Sequence, residues 1–172
     1  MSFQGALIAL NDLKKKGVIK DYAIAGGFAT SYYLEPAYTY DLDIIVLLDN
    51  DEDYHSLWGH FKKQGNKIEK DYIYIDDMPV QFFPSFIGKL FSNAIRDAHR
   101  AKVKGVNTKF VTVEYLIALL LKAFRPKDKV RIVELLNKAD KILLNGILRE
   151  CDDEEGFLQT RFNKLLATIH GS

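Results

Sequence analysis

Two aspartates two residues apart, Asp41 and Asp43, open a β-branched run, Ile44-Ile45-Val46. On a strand, residues two apart share a face, so the two carboxylates stand side by side while Leu42 and Ile44 enter a core. Close carboxylates repel each other, and a hard divalent cation relieves that repulsion, which makes Asp41 and Asp43 candidate metal ligands. Upstream lies Ala25-Gly26-Gly27-Phe28-Ala29, with thirteen residues between Gly27 and Asp41. A glycine pair between a strand and a helix leaves backbone N–H groups bare at the positive helix end, where phosphate oxygens can be held. Either feature alone is common. The order strand, Gly-Gly, helix, strand, Asp-x-Asp is far more specific.

Other residues are weighed against plainer roles. Thr39 and Tyr40 precede the acidic pair in a loop, where a hydroxyl can bond a phosphate. Lys122 interrupts the apolar helix Ile117-Ala-Leu-Leu-Leu-Lys-Ala-Phe, either snorkelling to solvent or aimed at an anionic ligand. Arg125 follows three residues on, and the spacing predicts that it shares the helix face of Lys122. Glu114 suits the helix dipole, and of Tyr32 and Tyr33 one packs in the core while the other is free to meet a base. His55, His60, His99 and His170 show no metal-ligand pattern, and Ser31 lacks the glycines of a nucleophile elbow.

The chemistry must be carried by a chain of 172 residues, 48% hydrophobic and 27% charged, which excludes a disordered or low-complexity protein and predicts one domain. Cys151 is the only cysteine, so no internal disulfide or thiolate cluster forms and a cytoplasmic location is expected. The longest apolar run, Leu116 to Leu121, is far short of the roughly 20 residues that cross a bilayer, and no membrane association is expected. Lys and Arg total 24 against 23 acids. Bulk charge therefore does not announce a nucleic-acid binder. The distribution is uneven, with six carboxylates between Asp41 and Asp53 and five bases between Lys122 and Arg131. A metal-bound triphosphate needs both signs in one cleft.

Periodicity predicts the elements that position these groups. Phe3, Leu7, Leu10 and Leu13 mark a helix closed by Gly17. Tyr22–Ala25 reads as a buried strand, Phe28–Leu34 as a short helix ended by Glu35-Pro36, and Asp41–Leu48 as a second strand. A helix over Asp53–Gly65 precedes a hairpin of Ile68–Ile75 and Pro79–Phe83. Then come a helix over Phe86–Ala101, a short edge strand Lys109–Val111, and a helix capped by Thr112 and running to Phe124. Helices over 127–139, 140–148 and 154–169 complete the chain. The expected fold class is α+β, a small mixed sheet (about 20–111) flanked by helices, with a helical C-terminal lobe (about 112–170) in the same domain.

On the Gly26-Gly27 turn and the Asp41-x-Asp43 strand, the sequence resembles the nucleotidyltransferase superfamily. It is similar above all to small bacterial members akin to the abortive-infection (AbiEii-type) toxin nucleotidyltransferases. Pro79-Val-Gln-Phe-Phe-Pro, Val113-Glu-Tyr-Leu-Ile-Ala and Arg125-Pro-Lys-Asp-Lys-Val-Arg carry that closer likeness. The resemblance implies that Asp41 and Asp43 hold Mg²⁺ (or Mn²⁺) on a nucleoside triphosphate and that Gly26 and Gly27 hold its phosphates. It further implies transfer of a nucleotidyl group to an acceptor, tRNA or protein among them, in a toxin–antitoxin or phage-defence system with a cognate antitoxin. Lys122 and Asp128 become catalytic candidates, and Thr39, Gln81, Arg125 and Lys127 substrate-binding ones. Gln81 occupies the place of the third carboxylate that some members carry. A neutral amide cannot act as a base or an anionic ligand, so a catalytically impaired, nucleotide-binding relative is the alternative.

Overall fold

The computed structural model describes residues 2–36 and 38–171. Helix α1 (Phe3–Lys15) starts where Ser2 Oγ accepts the Gly5 N–H at 2.9 Å, buries Ala6, Leu7, Leu10 and Leu13, and ends ahead of Gly17 at φ +71°. There follow β1 (Asp21–Ile24), α2 (Gly26–Tyr33), β2 (Leu42–Leu47), α3 (Asp51–Lys63), β3 (Ile68–Glu69), β4 (Tyr72–Ile75) and β5 (Met78–Pro84). A 3₁₀ turn (Ser85–Ile87), α4 (Lys89–Arg96), β6 (His99–Val103), β7 (Val106–Phe110), α5 (Val113–Ala123), α6 (Pro126–Leu135), α7 (Lys141–Glu150) and α8 (Phe157–His170) complete the chain.

The strands form one mixed sheet in the order β3-β4-β5-β2-β1-β7-β6. β2 runs antiparallel to β1 and parallel to β5, and β1 runs parallel to β7. Ile44, Ile45 and Val46 are all fully buried, because helices cover both faces of the central strands. By strand parity Ile45 and Phe83 face one way, where Phe83 stacks on Phe91 of α4 and α5 lies over them. Phe82 faces the other way and meets Phe61 of α3. Helix α5, buried along nearly its whole length, packs on α2 and α4 and also on α6, α7 and α8. The C-terminal helices are thereby held against the sheet. The expected α+β architecture, a mixed sheet flanked by helices, is the one observed.

Several boundaries differ from the periodicity. The helix expected over 86–101 ends at Arg96, and His99–Val103 is instead strand β6, hairpinned to β7 through Lys104-Gly105. The edge strand is therefore β6, and the segment around Lys109 lies inside the sheet. Ile68–Ile75 is two strands paired with each other, because Lys70 at φ +54° turns the chain. Thr112 sits at the N-cap of α5 without capping it, and its Oγ1 is buried without a hydrogen-bond partner. Glu114 is buried and accepts the Asp140 N–H at 2.8 Å, joining the start of α5 to the start of α7.

Candidate active site

Helix α2 begins at Gly26 itself, directly after β1, so both glycines belong to its first turn. Gly26 has φ +58°, and a Cβ there would lie 1.7 Å from Asp43 Oδ2. Only glycine meets both demands. A Cβ on Gly27 would lie 2.4 Å from Thr39 Oγ1, so the loop before β2 also closes against bare backbone. The turn is thus the seat against which the Asp43 carboxylate and Thr39 rest.

Asp43 stands in β2 opposite Gln81 of β5, and Gln81 stands opposite Tyr72 of β4, giving one row across three strands. Asp41 lies just before β2, two residues from Asp43, and its Oδ2 accepts the Tyr72 hydroxyl at 3.1 Å. Burial and then the charge of Asp41 push the Asp43 carboxyl up to about 6, against the pull of Arg125, the Gly27 N–H and Lys127. An acid held this way is relieved when a cation joins it. Among the described residues no group of three or more His, Cys, Asp or Glu side chains is arranged for a metal. The two carboxylates, with the neutral Gln81 opposite Asp43 on the next strand, nevertheless fit Mg²⁺, which commonly takes one or two protein carboxylates and completes its shell with waters and substrate phosphates.

These residues line a cleft of about 570 Å³. Gly26, Gly27, Thr39, Asp41, Asp43 and Gln81 form its sheet side, and Lys122, Arg125, Lys127 and Arg131 bring four cations from the helical side. Its deeper wall is apolar, from Ile45, Phe83, Phe91, Leu116, Leu119 and Leu120, and Tyr38, Tyr40 and Tyr72 stand around the acids. Tyr38 and Tyr40 are 84% and 65% exposed and meet edge to face, so two aromatic rings face solvent at the cleft. The sequence brought most of these groups to notice, Arg131 only as the end of the basic run, but not Tyr38 or Tyr72. Tyr72 becomes visible only through strand pairing, which no local pattern encodes.

Other placements depart from expectation. Arg125 does not share a face of α5 with Lys122: Phe124 closes α5 at φ +52°, and Arg125 is the N-cap of α6. Both nevertheless reach the same cleft. Asp128 is fully buried and does not line the cleft. Its carboxylate accepts the Arg125 backbone N–H at 3.0 Å and the guanidinium at 2.8 and 3.3 Å. It thus caps α6 and fixes Arg125, rather than facing a substrate. Tyr32 stacks on Phe110, while the Tyr33 hydroxyl donates to the Val111 carbonyl at 2.7 Å. Neither tyrosine lines the cleft, so the base contact expected of one of them is not made there.

No family model and no curated protein matches the sequence. Solved structures do resemble it. An antigenic nucleotidyltransferase-like protein from Paracoccidioides brasiliensis aligns with a TM-score of 0.61 and 16% identity, over 98% of this chain and 90% of that one. ANT(2")-Ia in complex with adenylyl-2"-tobramycin aligns with a TM-score of 0.58 and 14% identity, over 94% of this chain and 99% of that one. The solution structure of the same antibiotic-resistance factor gives 0.58 and 14% over 98% of both chains. The chain therefore has the nucleotidyltransferase fold.

Proposed function

We propose that the protein is a metal-dependent nucleotidyltransferase that moves a nucleotidyl group from a nucleoside triphosphate to an acceptor. The observation that supports it best is the meeting in one cleft of two neighbouring carboxylates, the glycine turn at the start of α2, and four cations from α5 and α6. Mg²⁺ or Mn²⁺, held by Asp41 and Asp43, would supply positive charge to the phosphates and help to orient them. The Gly26-Gly27 turn, whose Gly27 N–H already meets the Asp43 carboxylate, offers the remaining N–H groups of a positive helix end to phosphate oxygens. Lys122, Arg125 and Lys127 offset the charge that gathers on pyrophosphate as its bond to the α-phosphorus breaks and the acceptor oxygen or nitrogen takes its place. Tyr72 and Thr39 hold the acidic pair and its loop in position, and Asp128 holds Arg125.

The sequence resemblance extends the reading to a toxin–antitoxin or defence component acting on tRNA or protein, antagonised by a cognate antitoxin. Induced expression should then arrest growth in the wild type and not in an Asp41→Asn, Asp43→Asn double variant.

A second reading rests on Gln81 beside Asp43: a nucleotide-binding protein with little turnover. Incubation with each labelled triphosphate, Mg²⁺ or Mn²⁺, and pools of tRNA and protein separates the two. Transfer of label supports the enzyme. Tight binding without transfer supports the second reading, and neither result would remove both.

A further inference from the structure

At the other end of β1 the structure holds a second polar cavity, of about 340 Å³, between α1 and the β6–β7 hairpin. None of its lining residues is shared with the cleft of Asp41 and Asp43. Three cations converge on it, Lys14 from α1, Arg100 from β6 and Lys109 from β7, and among the described residues lining it Asp21 at the start of β1 is the only acid. Asp21 already serves two of them, accepting from Lys14 at 2.8 Å and from Lys109. Burial alone would raise the Asp21 carboxyl, but these lysines hold it below its ordinary value. Arg100 and Lys109 stand directly opposite each other in the antiparallel register. Asp21 offsets only the Lys109 side of this like-charged pair, and a second anion would offset Arg100. The floor is fixed as well: Asn11 accepts the buried Tyr22 hydroxyl at 3.0 Å and donates to the Asn107 carbonyl at 2.9 Å, tying α1 to β1 and β7.

We propose that this cavity is an anion site for a phosphate group, bound by Arg100, Lys109 and Lys14. The cations outnumber the acid by two, and the planar Arg100 fork matches two phosphate oxygens at once. The site is independent of the nucleotidyltransfer reading. The phosphate belongs either to a free nucleotide or to a nucleic-acid backbone.

Two-dimensional ¹H–¹⁵N NMR of the full chain, titrated with inorganic phosphate at constant ionic strength, tests the site directly. Saturable shifts are expected at the amides of Ala101, Thr108 and Lys109. Arg100→Gln, a change at an exposed side chain, should weaken that response about tenfold. Lys122→Ala should leave it unchanged while reducing shifts at Gly26 and Gly27. Adenosine monophosphate and a short single-stranded oligonucleotide then separate the sources. Tighter binding of the nucleotide at these amides, or tighter and strongly salt-dependent binding of the oligonucleotide there, would each support the site and name the carrier. Shifts confined to Gly26 and Gly27, equal shifts with chloride, or an unaltered response in Arg100→Gln would overturn it.

Discussion

Asp43 and Gln81 stand opposite each other in the parallel register of β2 and β5, on the sheet face that lines the cleft. A carboxylate and a neutral amide therefore occupy neighbouring positions where a third acid would complete a metal cage. Among the described residues that line the cleft, the anionic charge rests on Asp41 and Asp43 alone.

Replacing Gln81 by aspartate should strengthen metal binding. Without metal, a third acid beside Asp43 adds repulsion, so the melting temperature of Gln81→Asp should fall below that of the wild type. At one saturating Mn²⁺ concentration the order should reverse, since the variant gains about 1.4 kcal/mol more than the wild type for each tenfold by which it binds the metal more tightly. Calorimetry with and without Mn²⁺ checks both signs. Transfer activity should rise in the same variant.

The raised carboxyl of Asp43 makes stability depend on pH. Its folded value of about 6 exceeds the ordinary 3.8, so the folded protein keeps this proton longer than the unfolded chain does. Ionising Asp43 then costs stability: nothing below pH about 4, increasingly between about 4 and 6, and a constant amount above, on the order of 3 kcal/mol. Asp43→Asn removes that cost. It should raise the melting temperature of the metal-free protein at pH 8 and leave it nearly unchanged at pH 4. In the wild type, protons compete with metal, so the stabilisation by Mg²⁺ should shrink as pH falls through 6.

How much of this was legible in the sequence follows from the range of each interaction. The glycine turn and the Asp41-x-Asp43 strand are local patterns, and local geometry placed them together. β6 was hidden because Ala94, Ile95 and Ala98 carry the helical period of α4 up to the strand, while its own alternation lasts five residues. The break after Phe124 was legible, since Pro126 marks the first turn of α6, and it is this break that takes Arg125 off the helix face of Lys122. Tyr72 reaches Asp41 across a sheet, a contact fixed by register alone.

Gly26→Ala should be costly in two ways. The left-handed backbone opposes a side chain, and the new methyl would collide with the Asp43 carboxylate. A loss of more than about 2 kcal/mol is expected, together with loss of the metal-dependent melting shift. Gly59→Ala, inside α3 with nothing within 4 Å of its Cβ, should instead stabilise by up to about 1 kcal/mol and leave metal binding intact. Denaturant melts of the two variants provide the comparison.

Asp128 is tested by separating affinity from turnover. Asp128→Asn keeps an oxygen for the Arg125 N–H but loses the charged grip on the guanidinium. Stability should fall by about 1 kcal/mol, because the Arg125 side chain is 56% exposed and its ion pair is screened. Triphosphate affinity and turnover should both fall modestly as Arg125 loosens, by less than in Lys122→Ala. A collapse of turnover with affinity intact would give Asp128 a direct part in the chemistry.

Lys122 decides whether the helical layer belongs to the active site. It lies half-buried on α5, beside Leu119 and Leu120 on the cleft wall, with Arg125 and Lys127 across the start of α6. A triphosphate carries more negative charge than one divalent ion neutralises, and pyrophosphate departure concentrates charge that a fixed cation stabilises better than water does. Lys122→Ala should therefore weaken triphosphate binding and lower transfer by at least about tenfold, or about 1.4 kcal/mol. Lys129, exposed on α6 with its ammonium 4.5 Å from the Phe124 ring and outside the cleft, is the control, and Lys129→Ala should change little. Added salt should weaken binding more in the wild type than in Lys122→Ala, since the variant has lost one of the charges that salt screens. Equal affinity, rate and salt response in wild type and Lys122→Ala, at unchanged melting temperature, would reduce this lysine to packing and confine the chemistry to the sheet side of the cleft.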